Sequence, residues 1–270
     1  MKRPISFLLS AVAIISAAVV FNACTKTGPQ GPSGSQGPAG PSYSGSLTGH
    51  IFLSNQYGVL ADTGIAYTGI RAILYNANTN AVLDSINVKS SGIYTFNVTT
   101  GMYTIAFRDT NYGQELYQGF QFIGPGNLEL PNKELAHIPN FNIIKVVSDS
   151  INHVKAWVTF TDTITPDTKP RNLAIFYGAN ASVSSAPANY LGVSTYTIAA
   201  NANKFVVTIP LENIYNAGIG SGNTAYFAVY GASYNYTAAS TYQDYSTGRN
   251  IYNALTVTAV TTYPTSIVMP

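Results

Sequence analysis

The sequence predicts an all-β protein: two consecutive β-sandwich domains behind an apolar N-terminal segment and a short Gly-Pro-rich linker. Three observations carry this expectation. Short segments of alternating apolar and polar residues recur from Ser46 to Thr262, with turn signals between them. No stretch sustains a helical period. The single cysteine of the 270 residues stands at position 24, ahead of every strand candidate. One cysteine forms no intrachain disulfide, so the folded part must be held by its apolar cores. Its length suits two domains of ordinary size.

The N-terminus bears on the compartment in which the chain works. Lys2 and Arg3 precede an almost unbroken apolar run from Ile5 to Phe21, and Asn22, Ala23 and Cys24 follow. A positive start, an apolar middle and a small residue before the cut define an export signal, here residues 1–23. Phe21-Asn22-Ala23-Cys24 resembles the bacterial lipobox. It matches at Ala23 and Cys24 and departs at Phe21, where that family carries a branched apolar residue. Looser boxes of this kind occur in Bacteroidetes-like lipoproteins. The resemblance implies cleavage before Cys24, acylation (palmitate or a similar chain) at Cys24, and anchoring in a lipid bilayer at the outer membrane. Two plainer readings stand beside it. Ser16-Ala17-Ala18 offers an ordinary cleavage site that releases a soluble protein. Alternatively the run stays as a membrane anchor, at the short end of the roughly 17–25 residues a span needs. Each buried methylene of an acyl chain contributes roughly 0.8 kcal/mol, so two or three chains hold a protein in the bilayer effectively permanently. Such bacteria are thought to read acidic residues soon after the acylated cysteine as a signal for the outer face. Thr25, Lys26 and Thr27 follow instead, which leaves the periplasmic face and the cell surface both open.

Residues 24–45 form the linker. Gly28, Gly31, Gly34, Gly37 and Gly40 keep the collagen period, with Pro29, Pro32, Pro38 and Pro41 between them. Five triplets are few for a triple helix, which needs three aligned chains. The plainer reading is an extended spacer of roughly 45 Å at about 3.1 Å per residue. Collagen-like stubs after an acylated cysteine recur in Bacteroidetes-like lipoproteins, in keeping with the expected anchor.

Charge excludes two classes of partner. Without Lys2 and Arg3, 11 basic residues balance 11 acidic ones. Nucleic acid demands a basic face, and polybasic attraction to a membrane demands a cluster of cations. Neither is present. Only 9% of residues are charged, so solubility falls to Asn, Ser, Thr, Gln and Tyr.

The first domain is expected at residues 46–136. Strand candidates are Ser46–Leu53, Ile70–Tyr75, Ala81–Val88, Ile93–Val98, Tyr103–Arg108 and Tyr117–Ile123. Alternation places Tyr94, Phe96 and Val98 on one face, and Tyr103, Ile105 and Phe107 likewise. Gly69-Ile70-Arg71-Ala72-Ile73-Leu74, then Gly92-Ile93-Tyr94-Thr95-Phe96 and Gly101-Met102-Tyr103-Thr104-Ile105, resemble the carboxypeptidase regulatory-like domain, a transthyretin-like β-sandwich. Metallocarboxypeptidases bind zinc through His-x-x-Glu, but the residues three beyond His50, His137 and His153 are Leu53, Asn140 and Ala156. The histidines are therefore read as strand or surface residues, and no metal or other cofactor is expected.

The second domain is expected at residues 137–270. Strand candidates are His153–Thr161, Leu173–Tyr177, Leu191–Ile198, Phe205–Ile209, Ala225–Ala232 and Ala254–Thr262. Trp157 is expected under a facing sheet or a neighbouring domain. Phe205 to Leu211, a Gly-rich loop, and Ala225 to Tyr230 resemble a fibronectin type III or immunoglobulin-like fold, and the resemblance implies a tyrosine corner at Tyr226. Tyrosine is abundant, with 20 residues. Tyr suits the strands and loops of an uncharged surface; it also builds platforms that stack on sugar rings. A ligand face, if present, falls in the loop Ser233–Asn250, with Tyr234, Tyr236, Tyr242 and Tyr245 as contacts.

Other chemistry is sparse. Asp162 to Asp167 lacks the alternating acids and fixed Gly of a calcium loop and reads as a solvated turn. No catalytic ordering or phosphate loop is present. Asp84-Ser85-Ile86, Asp149-Ser150-Ile151 and Asp162-Thr163-Ile164 look like the Bacteroidetes O-glycosylation sequon, which implies glycans at Ser85, Ser150 and Thr163. The sequence thus predicts a non-enzymatic, membrane-anchored envelope lipoprotein with a binding or adhesion role toward a glycan or protein ligand. The alternative is an accessory structural subunit of an outer-membrane complex. Metabolic labelling with a fatty-acid analogue is expected to mark the mature chain and to be abolished by Cys24→Ala; an unlabelled chain free in the culture fluid contradicts the anchor.

Overall fold

The computed structural model describes residues 40–60, 67, 69–140, 143–152, 155–162, 167–202, 204–234, 241–256 and 265–269. The expected signal peptide, Cys24 and the linker up to residue 39 lie outside the described residues, as do His153, Thr163, Tyr236 and residues 257–264 of the expected strand Ala254–Thr262. Strands make up nearly all the regular secondary structure of the described chain, as expected from the sequence.

The N-terminal half contains β1 (Ser44–Ser54), β2 (Arg71–Asn76), β3 (Val82–Asn87), β4 (Ile93–Thr99), β5 (Gly101–Arg108), β6 (Glu115–Phe122), β7 (Gly126–Glu129) and β8 (Lys133–Ala136). They form two facing sheets. One runs β4–β1–β7, with β8 also on β1; the other runs β3–β2–β5–β6. The core between them takes Leu47, Ile51 and Leu53 from β1, Tyr94, Phe96 and Val98 from β4, and Tyr103, Ile105 and Phe107 from β5. The alternation seen in the sequence therefore does select the buried faces. Gly49 lies opposite Tyr94 across the β1–β4 ladder, and the Tyr94 ring fills the space a side chain at Gly49 would need.

β7 and β8 are absent from the sequence expectation. Both pair parallel to β1 along one edge, Gly45–Thr48 with Gly126–Glu129 and Ile51–Ser54 with Lys133–Ala136. From Thr48 to Ile51 the first strand advances three residues, while its partner advances four from Glu129 to Lys133. The extra residue makes a bulge at Leu130-Pro131-Asn132, where proline has no N–H to give to a ladder.

The C-terminal half contains β9 (Ile143–Asn152), β10 (Lys155–Asp162), β11 (Arg171–Gly178), β12 (Gly192–Ile198), β13 (Lys204–Pro210), α1 (Leu211–Asn216), β14 (Thr224–Ala232), β15 (Thr241–Gln243), β16 (Asn250–Tyr252) and β17 (Thr265–Val268). The sheets run β13–β10–β9 and β12–β11–β14–β17, with β15–β16 as a separate hairpin. Trp157 lies in β10, paired with Thr208 of β13 and Asp149 of β9. α1 occupies part of what reads as loop in the sequence. Its Leu211 and Ile214 enter the core with Ile175, Phe227 and Val229.

Every residue of β11 is buried. The cause is cover on both faces of its sheet. Leu173, Ile175 and Tyr177 face the core shared with α1 and β13. Ala174 and Phe176 face a second apolar cluster with Tyr190, Tyr230, Ala232 and Leu255. The Phe176 ring meets Tyr190, Tyr230 and Tyr252 edge-on at 5.1, 5.5 and 5.3 Å. A strand wrapped on both sides reads as a continuous apolar run rather than an alternating one. Tyr226 departs from the tyrosine-corner expectation: Ala225, Phe227 and Val229 carry the main core, so Tyr226 is on the other face of β14.

Phe107 is fully buried, with its ring 5.0 Å from that of Tyr94. Phe107→Ala is expected to lower the unfolding free energy by about 3–5 kcal/mol. Ile123→Ala, at a side chain 65% exposed, is expected to change it by less than about 0.5 kcal/mol. Denaturant midpoints of the two variants check the contrast.

Candidate functional site

Residues 42–270 form one compact unit, so contacts between its two halves belong to the fold. Two polar networks close this seam. The first is built on the turn after β1. Asn55 Oδ1 accepts from the backbone N–H groups of Tyr57 and Val59 and fixes the turn. Gln56 then offers its carbonyl to Tyr234 N–H at 3.0 Å and its Oε1 to Asn140 N–H at 2.9 Å. The Tyr57 hydroxyl donates to the Asp167 carboxylate and accepts from Gln56 Nε2 at 2.8 Å. Lys169 Nζ sits 4.8 Å above the Tyr57 ring. Burial, and then the bond to Asp167, raise the Tyr57 pKa. Asp167 is therefore part of the seam rather than of a merely solvated turn. Gly58, at φ +79°, leaves room for the Tyr234 ring that crosses it.

The second network lies at the start of β6. Gly113 faces the Asn253 backbone so closely that a Cβ on residue 113 would stand 2.6 Å from it. Gln114 Nε2 donates to the Tyr242 hydroxyl at 3.3 Å. Glu115, 1% exposed, accepts from Lys133 Nζ at 2.8 Å through Oε1 and from Asn253 Nδ2 at 3.3 Å through Oε2. Burial pushes its carboxyl up to about 7, against the pull of Lys133. The ion pair returns only part of what taking the carboxylate out of water costs.

Beside this network opens a cleft of about 700 Å³. One wall is Phe52 of β1 with Leu116, Tyr117 and Gln118 of β6. The floor and rim are the bulge residues Pro131 and Asn132 with Lys133 and Glu134 of β8. The far side is Tyr242 of β15 and Tyr245 of the following turn. Lys133 Nζ lies 5.6 Å from the centre of the Tyr117 ring. Tyr245 is 72% exposed. Asp244 braces its turn, accepting from Ser246 Oγ, Thr247 Oγ1 and Thr247 N–H. Four rings and two amides on an open wall can take a flat ligand with one apolar face and polar edges.

The structure brings together only part of the expected aromatic set. Tyr242 and Tyr245 line the cleft. Tyr234 is exposed but packs on the Gly58 turn, away from the cleft lining. Tyr230 and Tyr252 of the same C-terminal region belong to the second apolar cluster instead. Phe52, Tyr117, Lys133 and Glu115 have no local signal in the sequence; they meet through pairing of distant strands. Ser85 is half-buried in β3 and its Oγ accepts from Arg71 at 2.7 Å. Ser150 lies in β9, at the register shift opposite β10. His50 and His137 bond the Ser91 and Ile138 carbonyls, each at 2.7 Å. Among the described residues, no group of three or more His, Cys, Asp or Glu is placed to hold a metal ion.

Glu115 ties stability to pH. Its folded pKa lies above its ordinary 4.5, so the folded chain binds the proton more tightly than the unfolded one. Stability is therefore expected to fall by about 3 kcal/mol as pH rises from about 4.5 to about 7, and to level off above. Denaturant midpoints across that range check this, with Glu115→Gln expected to remove this part of the slope.

No protein-family model matches the chain. No curated protein matches it. Among solved structures it is similar to a protein of Bacteroides uniformis named as a "putative carbohydrate binding protein", at 16% identity over 78% of this chain and 96% of that one, with a TM-score of 0.29. A DUF3823 family protein of Parabacteroides merdae matches at 15% identity over 79% and 98%, with a TM-score of 0.27. A two-domain fibronectin type III segment of chicken tenascin matches at 8% identity over 63% and 79%, with a TM-score of 0.21. No residue role passes from these matches to the present chain.

Proposed function

We propose that the protein is a lipid-anchored, non-enzymatic binding protein of the bacterial cell envelope, and that the cleft between its two sandwiches binds a saccharide. The cleft carries this reading. Phe52, Tyr117, Tyr242 and Tyr245 offer ring faces, and Gln118 and Asn132 offer amides at their edges. A pyranose has the matching form, with an apolar C–H face and a rim of hydroxyl groups. Stacking on the rings removes the apolar face from water, and the amides replace water at the hydroxyls.

The anchor rests on the signal that ends at Cys24. Acylation there, with the Gly-Pro-rich spacer behind it, would tether the cleft near the outer membrane, on its periplasmic face or at the cell surface. The first sandwich is read as carboxypeptidase regulatory-like and the second as fibronectin type III or immunoglobulin-like. The glycine-aromatic segments around Tyr94 and Tyr103 support the first reading by supplying the core of their sandwich. Ser85, Ser150 and Thr163 are kept as proposed sites of O-glycosylation.

A saccharide found on a glycan array is expected to lose roughly fivefold to tenfold in affinity with either Tyr242→Ala or Tyr245→Ala, the worth of one stacked ring. Tyr234→Ala, outside the cleft lining, is expected to leave affinity unchanged. Titration calorimetry separates the outcomes; equal losses at all three positions, or none at any, remove the cleft as the binding site.

A further inference from the structure

We propose that Glu115 sets the charge selectivity of the cleft: by holding the Lys133 ammonium from behind, it makes the site a receptor for uncharged saccharides. This rests on the saccharide reading above and adds to it the class of sugar. Among the described residues that line the cleft, Lys133 is the only cation. Its side chain is 29% exposed and its Nζ lies 2.8 Å from Glu115 Oε1, so it faces the cleft while bonded on its inner side. Glu134 adds a carboxylate to the rim. With Glu115 ionised, the charges here do not sum to a positive site.

A uronic-acid carboxylate entering the cleft has one cation to reach for. To take it, the ligand must share or displace the bond to Glu115. Glu115 has no route to water, and its other oxygen is already held by Asn253. Stripping its cation leaves a buried carboxylate without a counter-charge, which is strongly unfavourable. An uncharged sugar makes no such demand. It needs only the rings and the amides, and Lys133 remains free to donate one further N–H to a hydroxyl. Glu115 is thus a positioning residue: it touches no ligand and acts through Lys133.

Among the described residues, Glu115 is bonded by Lys133 of β8, by Asn253 of the segment after β16 and by the backbone of Leu116 in its own strand, and its charge acts on Tyr242 of β15. Arg108 at the end of β5 and Asp244 after β15 act on Tyr242 in turn. Of the two side chains bonded to Glu115, Lys133 and Asn253, Lys133 is the one that is charged and lines the cleft.

The test uses neutral oligosaccharides and their uronic-acid counterparts, with wild type, Glu115→Gln and Lys133→Met. At pH about 8, where the carboxyl is ionised, wild type is expected to bind neutral chains and to bind acidic ones at least about tenfold more weakly. Glu115→Gln is expected to gain about tenfold for acidic chains, in a salt-sensitive way, with neutral affinity within about twofold. Lys133→Met is expected to gain no acidic binding at either pH, because it removes the one cation that Glu115→Gln and the lower pH release, and to weaken neutral chains by the N–H that Lys133 gives to a hydroxyl. Wild type moved to pH about 5.5, where a uronate is still charged, is expected to copy Glu115→Gln, and this arm stands even if that variant fails to fold. Neutral binding with no acidic gain in either arm overturns the role of Glu115 alone. Equal binding of both sugar classes by wild type at pH about 8 does the same. Absence of binding to every saccharide, with Tyr245→Ala equally inert, overturns the saccharide reading and this inference with it.

Discussion

The contact between Gly113 and the Asn253 backbone is the constraint on which the cleft depends. Its walls come from both halves of the chain: Phe52, Tyr117 and Lys133 from the first sandwich, Tyr242 and Tyr245 from the second. Between these walls the two backbones meet at Gly113, where a side chain would collide with Asn253. The Glu115 network sits directly beside this approach, and the Gln56–Tyr57 turn supplies a separate set of bonds across the same seam. Buried polar groups joined in this way favour one relative placement over a sliding apolar contact.

Much of the strand content is legible because it is local. Tyr94, Phe96 and Val98 alternate with polar neighbours, and the burial of β4 follows that alternation residue by residue. β7 and β8 are not legible in the same way. Each has only four residues, Pro131 stands between them, and both are strands through pairing in turn with the long β1. α1 is hidden for a related reason: six residues with two buried positions give no period to detect. The candidate site divides along the same line. Tyr242 and Tyr245 stand out as tyrosines in a polar loop, whereas Tyr117 and Lys133 look like ordinary strand residues until β6 and β8 are brought together.

The tyrosines have two roles that composition alone does not separate. Tyr190, Tyr230 and Tyr252 surround Phe176 and complete a second core on the outer face of β11. Their hydroxyls need not be wasted there. Tyr190 donates to the Asn250 carbonyl at 2.5 Å, and Tyr230 accepts from Ser185 N–H at 3.3 Å. Arg249 caps the Tyr190 ring at 5.6 Å and bonds the Pro187 carbonyl at 2.7 Å. A phenol buries a large apolar ring and still satisfies a nearby backbone group. That is a useful property in a chain with few charges and no possible intrachain disulfide.

The bulge at Pro131 has an evolutionary consequence. The bulge lies between two stretches of ladder that are each pinned to β1; Leu130 enters the core, while Pro131 and Asn132 open onto the cleft. Insertions or deletions there would change the depth and outline of the trough while both flanking registers stay locked. Length variation at one short segment would thus let descendants of this scaffold exchange ligands without rebuilding either sandwich.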